Sequence, residues 1–191
     1  SQGPKARLAR ASTRITNKLV YRCQLLQLAI DTADVVVIGY GGAGVAAALH
    51  AREAGADVLA IDRFDGGGAT AFSGGVYYGG NTRYQKDAGI DDNVDEMFKY
   101  LREEARGVVL DETMQRFCQN SSRDLDWLAG HGVPYEGTLC NDKTSYPPDG
   151  KYLYYSGNER VPRYKALAKP APRGHRAIGS SLTGHVYYAA L

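Results

Sequence analysis

Three glycines and one carboxylate have the types and the spacing needed to bind a pyrophosphate and a ribose. Gly39, Gly41 and Gly44 give the pattern G-x-G-x-x-G, and Asp62 lies eighteen residues after the last of them. Gly39 would permit a tight turn, Gly41 would let a pyrophosphate approach the backbone, and Gly44 would let a helix pack closely on a strand. An acid near this spacing accepts the ribose hydroxyls in dinucleotide-binding folds. These four residues therefore predict a dinucleotide site.

The elements that must position these residues are predicted from the hydropathy around them. A β-branched run over 35–38 predicts a strand, an alanine-rich run over 45–54 predicts a helix, and 56–61 predicts a buried strand that ends at Asp62. The N-terminus of the helix would offer free N–H groups and the positive end of its dipole to phosphates. The order strand, glycine turn, helix, strand and acid favours dinucleotide binding over an ordinary glycine-rich turn.

A second glycine-rich segment follows the acid, over 63–75. It has too few large side chains to form a core, but its backbone N–H groups could come close to a ligand. Thr70 and Ser73 would add hydroxyl groups. A flexible surface loop is the alternative, and the position directly after the second strand favours the wall of a cofactor site. The next residues, 76–78, predict a short strand.

Helices and turns are predicted over the rest of the chain. Asn93 has the form of an N-cap for an amphipathic helix over 94–105, and a second helix is predicted over 111–129. Residues 136–172 predict turns and short strands, and 182–191 predict the opening of another helix. The tyrosines over 152–155 could line an apolar pocket, although partly buried packing within a hairpin is the more common role for such a cluster.

The distribution of charge argues against a nucleic-acid-binding body. The chain of 191 residues has a net charge of +2, and residues 1–30 carry six basic residues and no acid, so the remainder is mildly acidic. We expect a basic extension over 1–32, disordered or helical, followed by one domain over 33–191. An organelle-targeting segment at 1–32 is the alternative.

Neither the cysteines nor the histidines have the spacing of a metal site. Three cysteines without a C-x-x-C pattern suggest neither a disulfide framework nor zinc, and a reducing, cytoplasmic location is expected. No apolar run approaches the length of a transmembrane span. We therefore expect no metal at Cys23, Cys118, Cys140, His131, His175 or His185.

Taken together, these segments resemble the flavoprotein family of fumarate reductases, succinate dehydrogenase flavoprotein subunits and 3-ketosteroid dehydrogenases. Within that family the chain looks most like the 3-ketosteroid Δ4-(5α)-dehydrogenases. The resemblance extends from Asp34 to about Leu191, and only its glycine motifs are strongly specific. The matching segments are 34–63, 66–75, 79–80, 126–128, 132–133, 156–159 and 170–175.

The resemblance implies an α/β fold, a Rossmann-like FAD-binding domain of the glutathione-reductase type that lacks its C-terminal strands. It implies FAD as the cofactor, held by Gly39, Gly41, Gly42, Ala43 and Gly44 at the pyrophosphate and by Asp62 and Arg63 at the adenosine side, with Thr70, Ala71, Ser73, Gly74 and Gly75 along the phosphates and the flavin. Relatives often have a hydroxyl residue where this chain has Ala69, and Thr70 is the expected substitute.

The implied function is a FAD-dependent oxidoreductase that acts on CH–CH bonds of a small molecule, with a 3-ketosteroid-like substrate. A fumarate-reductase-like enoate reductase is the alternative, and Arg173 and His175 could then contribute to a carboxylate clamp or be structural turn residues. Family members are much longer and include a substrate-capping domain, toward which the turn-rich segment 136–172 would lead, so a truncated, non-catalytic nucleotide-binding chain is a further possibility. The catalytic residues of relatives lie in later parts, and no residue of this chain is assigned that role. An NAD-dependent enzyme is disfavoured, since it does not need the second glycine segment.

Overall fold

The computed structural model describes residues 7–10, 32–180 and 182–191, which form two compact units, Ser1–Thr70 and Ala71–Leu191. The expected disordered or helical extension over 1–32 therefore lies largely outside the described residues. Within that segment, Arg7–Arg10 form strand β1.

The first unit contains the predicted strand, glycine turn, helix and strand. Its elements are β1 (Arg7–Arg10), β2 (Val35–Ile38), α1 (Gly42–Glu53), β3 (Val58–Asp62) and the start of α2 (Gly68–Ala71). The three strands are parallel in the order β1–β3–β2, and β2 pairs in register with β3 from Val35 opposite Val58 to Ile38 opposite Ile61. The α/β class is confirmed.

One face of this sheet forms a small core with α1. Val37 of β2, Val58 and Ala60 of β3, and Ala48 of α1 are buried together. The rest of β2 is open, and Ile38 is 86% exposed. Ile38 and the half-exposed Val36 alternate with Val37 along the strand, so they lie on the face of the sheet opposite α1.

The second unit combines an antiparallel-rich sheet with a helical pair. The sheet order is β4 (Val76–Tyr78), β7 (Gly174–Arg176), β6 (Leu153–Tyr155) and β5 (Leu139–Lys143). The helices are α3 (Arg83–Asp87), α4 (Val94–Ala105), α5 (Asp111–Gly130), α6 (Pro162–Lys165) and α7 (Gly184–Ala190). The predicted strand at 76–78 and the two predicted amphipathic helices are confirmed, because their signals are local.

Capping and burial explain the helical pair. The Asn93 side chain accepts a hydrogen bond from the N–H of Glu96 at 3.0 Å, as the N-cap prediction requires. Helix α4 ends where Arg106 adopts a left-handed conformation with φ +47°. Met97 of α4 packs with Met114 and Cys118 of α5 in a common core.

Candidate cofactor site

The turn between β2 and α1 contains glycines where larger side chains could not fit. Gly39 has φ +94°, a left-handed conformation, and its N–H donates to the carbonyl of Ile61 at 2.7 Å. A Cβ on Gly44 would lie 1.9 Å from the carbonyl oxygen of Gly39. The close contact between α1 and the turn therefore requires glycine at position 44, for the reason that the sequence pattern indicated.

The two glycine-rich segments contact each other through their backbones in the first unit. The N–H of Gly67 donates to the carbonyl of Tyr40 at 2.8 Å, and Gly41 pairs with Gly67 in an isolated parallel bridge. A Cβ on Gly68 would lie 3.2 Å from Cα of Gly41. Gly68 is thus the position at which the close contact between the two segments requires glycine, and Gly41 lies directly against it. That contact was not visible in the sequence.

The N-terminus of α1 offers backbone donors beside this turn. Gly41 is the N-cap, no side chain caps the helix, and the first turn contains no acid. The first N–H groups of a helix lack intrahelical partners, so those of Gly42 and Ala43 can serve an anion. In this structure the N–H of Gly42 donates to Oγ1 of Thr70 at 3.3 Å. The Thr70 hydroxyl thus lies beside the N-terminus of α1, and its part as the substitute for a hydroxyl at position 69 stays a prediction.

Asp62 is held in place by the backbone of the same unit. Its Oδ2 accepts from the N–H of Tyr40 at 2.5 Å, and its Oδ1 accepts from the N–H of Phe64 at 2.8 Å. These bonds, first of all the one from Tyr40, lower the pKa of the carboxyl group below its ordinary value. The carboxylate is ionised near neutral pH, and each oxygen has a further lone pair that a ribose hydroxyl could use.

Arg63 is exposed, and its guanidinium carbon lies 4.5 Å from the centre of the Phe64 ring. This cation–π contact forms a flat, solvent-facing pair directly after Asp62. Its role at the adenosine side stays a prediction.

The second unit begins with the remaining predicted residues. Ala71 is half-buried and ends α2, Ser73 is exposed, and Gly75 is buried with φ +65°. The N–H of Gly75 donates to Oγ of Ser73 at 3.2 Å, which closes a tight turn. Gly74 lies in that turn, and a Cβ there would be 3.6 Å from the Tyr146 ring.

The two residues proposed for a carboxylate clamp are built into the core of the second unit. Arg173 is fully buried and forms two hydrogen bonds with Asp92, from Nε at 2.8 Å and from Nη2 at 2.6 Å. His175 is 1% exposed, with Nδ1 3.0 Å from the carbonyl of Arg173 and Nε2 2.8 Å from Oγ1 of Thr82. Burial lowers the pKa of His175 to about 4, so this imidazole is neutral at neutral pH.

The tyrosines over 152–155 pack inside the sheet. Tyr152 and Tyr154 are buried, and β6 lies between β7 and the parallel strand β5. An open cavity of about 500 Å³ does lie in this unit, but other residues line it: Tyr146, Pro147, Pro148, Asp149, Arg176 and Leu182.

The described residues include neither a cluster of metal ligands nor a membrane-spanning helix. They contain no group of three or more metal-ligating side chains. None of the described helices has both the length and the hydropathy that crossing a bilayer requires.

Comparison with known proteins identifies the family. The profile described as "FAD binding domain" matches residues 34–179, about three quarters of the chain. The chain belongs to this family. Its FAD-binding domain is 49% identical, over 84% of the chain, to a 3-oxo-5-alpha-steroid 4-dehydrogenase of Comamonas testosteroni, of which it covers 31%. It is also 29% identical, over 78% of the chain, to an NADH:fumarate oxidoreductase of Klebsiella pneumoniae, of which it covers 17%.

A solved structure has the same fold. The 3-ketosteroid-Δ4-(5α)-dehydrogenase of Rhodococcus jostii RHA1, in complex with 4-androstene-3,17-dione, superposes with a TM-score of 0.76 at 38% identity, over 83% of this chain and 34% of that one. This FAD-binding domain thus spans about a third of the length of the two steroid dehydrogenases it matches. Three predictions are thereby confirmed: the family resemblance that the glycine motifs indicated, the fold, and FAD as the cofactor of the family.

The residues present fit FAD. Gly41 and Gly68 lie where the two backbone segments meet, Gly44 lies where a Cβ would strike the carbonyl of Gly39, and Asp62 presents an ordered carboxylate at the end of β3. Sequence reasoning did not anticipate the part of Tyr40, whose N–H orients Asp62 and whose carbonyl holds Gly67. No side-chain signal could have shown it, because both contacts are made by the backbone.

Proposed function

We propose that this chain is the cofactor-binding part of a FAD-dependent oxidoreductase that acts on CH–CH bonds, with a 3-ketosteroid-like substrate. The observation that carries the proposal is the glycine turn with its ordered carboxylate, Gly39–Gly44 and Asp62, in a chain 49% identical to a steroid 4-dehydrogenase. When bound, FAD would supply hydride transfer, which protein side chains cannot perform.

The chain's own residues would bind the FAD and orient it. The N–H groups at the start of α1 would donate hydrogen bonds to the pyrophosphate, that of Gly42 in place of its bond to Thr70, and the Asp62 carboxylate would accept hydrogen bonds from the ribose. In the second unit, the backbone of Ser73–Gly75 would approach the flavin. No residue of the described chain is assigned as the acid or base that moves the proton.

A neutral, apolar substrate is favoured over a small dicarboxylate. A dicarboxylate needs exposed cations, and the two candidates, Arg173 and His175, are buried and already bonded to Asp92 and Thr82. The open cavity of the second unit is lined by rings and aliphatic side chains together with one ion pair, in which Nη2 of Arg176 lies 3.2 Å from Oδ1 of Asp149. Because the two charges of this pair offset each other, the cavity wall carries no net charge to attract a dianionic ligand, and a neutral ketone needs none.

The first experiment titrates the purified chain with FAD and follows flavin absorbance and fluorescence after gel filtration. Retained, stoichiometric FAD supports the proposal, and loss of retention in Asp62→Ala and Gly41→Ala would support the assigned residues. Colourless protein at high FAD concentration would favour the alternative, a nucleotide-binding remnant without catalysis.

The second experiment adds substrates to the FAD-loaded protein without oxygen. Bleaching of the flavin band by a 3-oxo-5α-steroid supports the steroid dehydrogenase. Reoxidation of the chemically reduced flavin by fumarate, with no response to the steroid, would favour the enoate reductase. The two free thiols described, Cys118 and Cys140, are compatible with the expected reducing, cytoplasmic location, which stays a prediction.

A further inference from the structure

A buried threonine far along the chain holds the second glycine turn. Thr183 has no solvent exposure, and its Oγ1 donates to the carbonyl of Gly74 at 3.0 Å. The next residue, Gly184, donates its N–H to the carbonyl of Ser73 at 3.0 Å. Two successive carbonyl groups of the turn are therefore bound by two successive residues at the start of α7, about 110 positions away in sequence.

These two bonds set the direction of the peptide groups. In a planar trans peptide the N–H points opposite to the C=O of the same unit. Since the carbonyl of Ser73 points at Gly184, the N–H of Gly74 must point away from α7. The next N–H, that of Gly75, is taken by Oγ of Ser73 at 3.2 Å. The turn thus presents the N–H of Gly74 on the side opposite to Thr183.

The contact between Gly75 and Thr183 is too close for a side chain at position 75. A Cβ on Gly75 would lie 2.4 Å from Oγ1 and 2.5 Å from the carbonyl carbon of Thr183. The carbonyl of Gly75 also accepts from the N–H of Ala177 at 2.9 Å, just after β7. The turn is held on one side by the end of β7 and on the other by Thr183, which leaves little freedom to rotate its peptides.

The geometry points to Thr183 as a positioning residue for the flavin: its hydroxyl fixes the Gly74–Gly75 peptide while the N–H of the adjacent Gly184 fixes the Ser73–Gly74 peptide, and the turn held in this way keeps the N–H of Gly74 oriented as a hydrogen-bond donor to the polar edge of the isoalloxazine ring. The inference rests on the proposed function, in which Ser73–Gly75 approach the flavin. Thr183 itself would not touch the cofactor, since it lies on the other side of the turn.

The test compares Thr183→Val, which keeps the shape and removes the donor, with Thr183→Ser, which keeps the donor. Thr138→Val serves as the matched control, because the Thr138 hydroxyl bonds to the Glu136 side chain and not to the turn. Without FAD, amide hydrogen exchange of residues 73–76 is measured by mass spectrometry. With FAD, the dissociation constant and the visible circular dichroism of the bound flavin are measured.

We expect Thr183→Val to speed exchange at 73–76 by about 3- to 10-fold, to weaken FAD binding by a similar factor and to change the flavin dichroism, as loss of one neutral hydrogen bond predicts. Thr183→Ser should restore all three, and Thr138→Val should change none. A Thr183→Val protein whose exchange and dichroism match the wild type overturns the inference. If the wild type binds no FAD, the proposed function fails for this chain, and exchange at 73–76 still decides whether Thr183 holds the turn.

Discussion

His175 makes the stability of the second unit depend on pH in a way that can be calculated. Its Nδ1 faces the carbonyl of Arg173, which only accepts, so Nδ1 carries the proton and Nε2 accepts from the Thr82 hydroxyl. That hydroxyl also accepts from the N–H of Gln85 at 3.2 Å, at the N-cap of α3. Protonation of Nε2 would place a positive charge on a ring that is 1% exposed and would force the Thr82 hydroxyl to turn its own proton away.

The pKa of His175 sets both the sign and the magnitude of this pH dependence. Burial lowers the pKa of His175 from 6.5 to about 4, so the unfolded chain binds the proton more readily than the folded one. The free energy of unfolding is therefore fully retained above pH 6.5, falls as the pH drops toward 4 and levels off below it. The shift corresponds to about 3 kcal/mol in total, of which about 2 kcal/mol is lost by pH 5.

Urea unfolding of the wild type and of His175→Gln at pH 7.5 and pH 5 measures this effect. Gln cannot be protonated but can still accept from Thr82, so its free energy of unfolding should fall by about 2 kcal/mol less over this range. Carboxyl groups such as Asp62 and Glu96 also titrate, but they contribute equally to both proteins. An NMR titration of the wild type checks the pKa directly. Equal pH dependence in the two proteins, or an imidazole that titrates near 6.5, would refute the reasoning.

Three further predictions concern the two units separately. Gly44→Ala should lower the melting temperature of the chain and abolish FAD retention, because its Cβ would lie 1.9 Å from a carbonyl oxygen; Gly130→Ala, with nothing within 4 Å, should change neither in the same thermal scan. Asp62→Asn should weaken FAD binding by about 10-fold or more in a fluorescence titration, since a carboxylate accepts stronger hydrogen bonds than an amide. Asp92→Asn should cost about 3–5 kcal/mol in urea unfolding, because it leaves the buried charge of Arg173 without its partner.

Each of these three predictions has an outcome that would contradict it. Normal FAD retention in Gly44→Ala would mean that α1 can shift without harm to the site. An unchanged dissociation constant in Asp62→Asn would place the ribose elsewhere. A loss below about 1 kcal/mol in Asp92→Asn would show that the pair contributes no more than an exposed one.

Local signals account for what could be predicted of the fold. The β-branched run of β2, the glycine at the turn and the N-cap at Asn93 each act within a few residues, so their positions follow from spacing alone. The start of α1 was predicted three residues late, at Val45 and not Gly42, because glycines conceal the first turn of a helix. The strand at Arg7–Arg10 left no signal, since a short segment acquires strand geometry only from its partner β3.

The amino-acid sequence by itself determined the family and its cofactor, because G-x-G-x-x-G and Asp62 lie on adjacent elements of one βαβ unit. Tertiary structure decided the roles of Arg173, His175 and Thr183. Their partners Asp92, Thr82 and Gly74 are 81, 93 and 109 residues away, and no periodicity connects such positions. Folding removes these side chains from water and brings them to their distant partners. Arg173 and His175 therefore become core residues, and Thr183 comes to hold the second glycine turn.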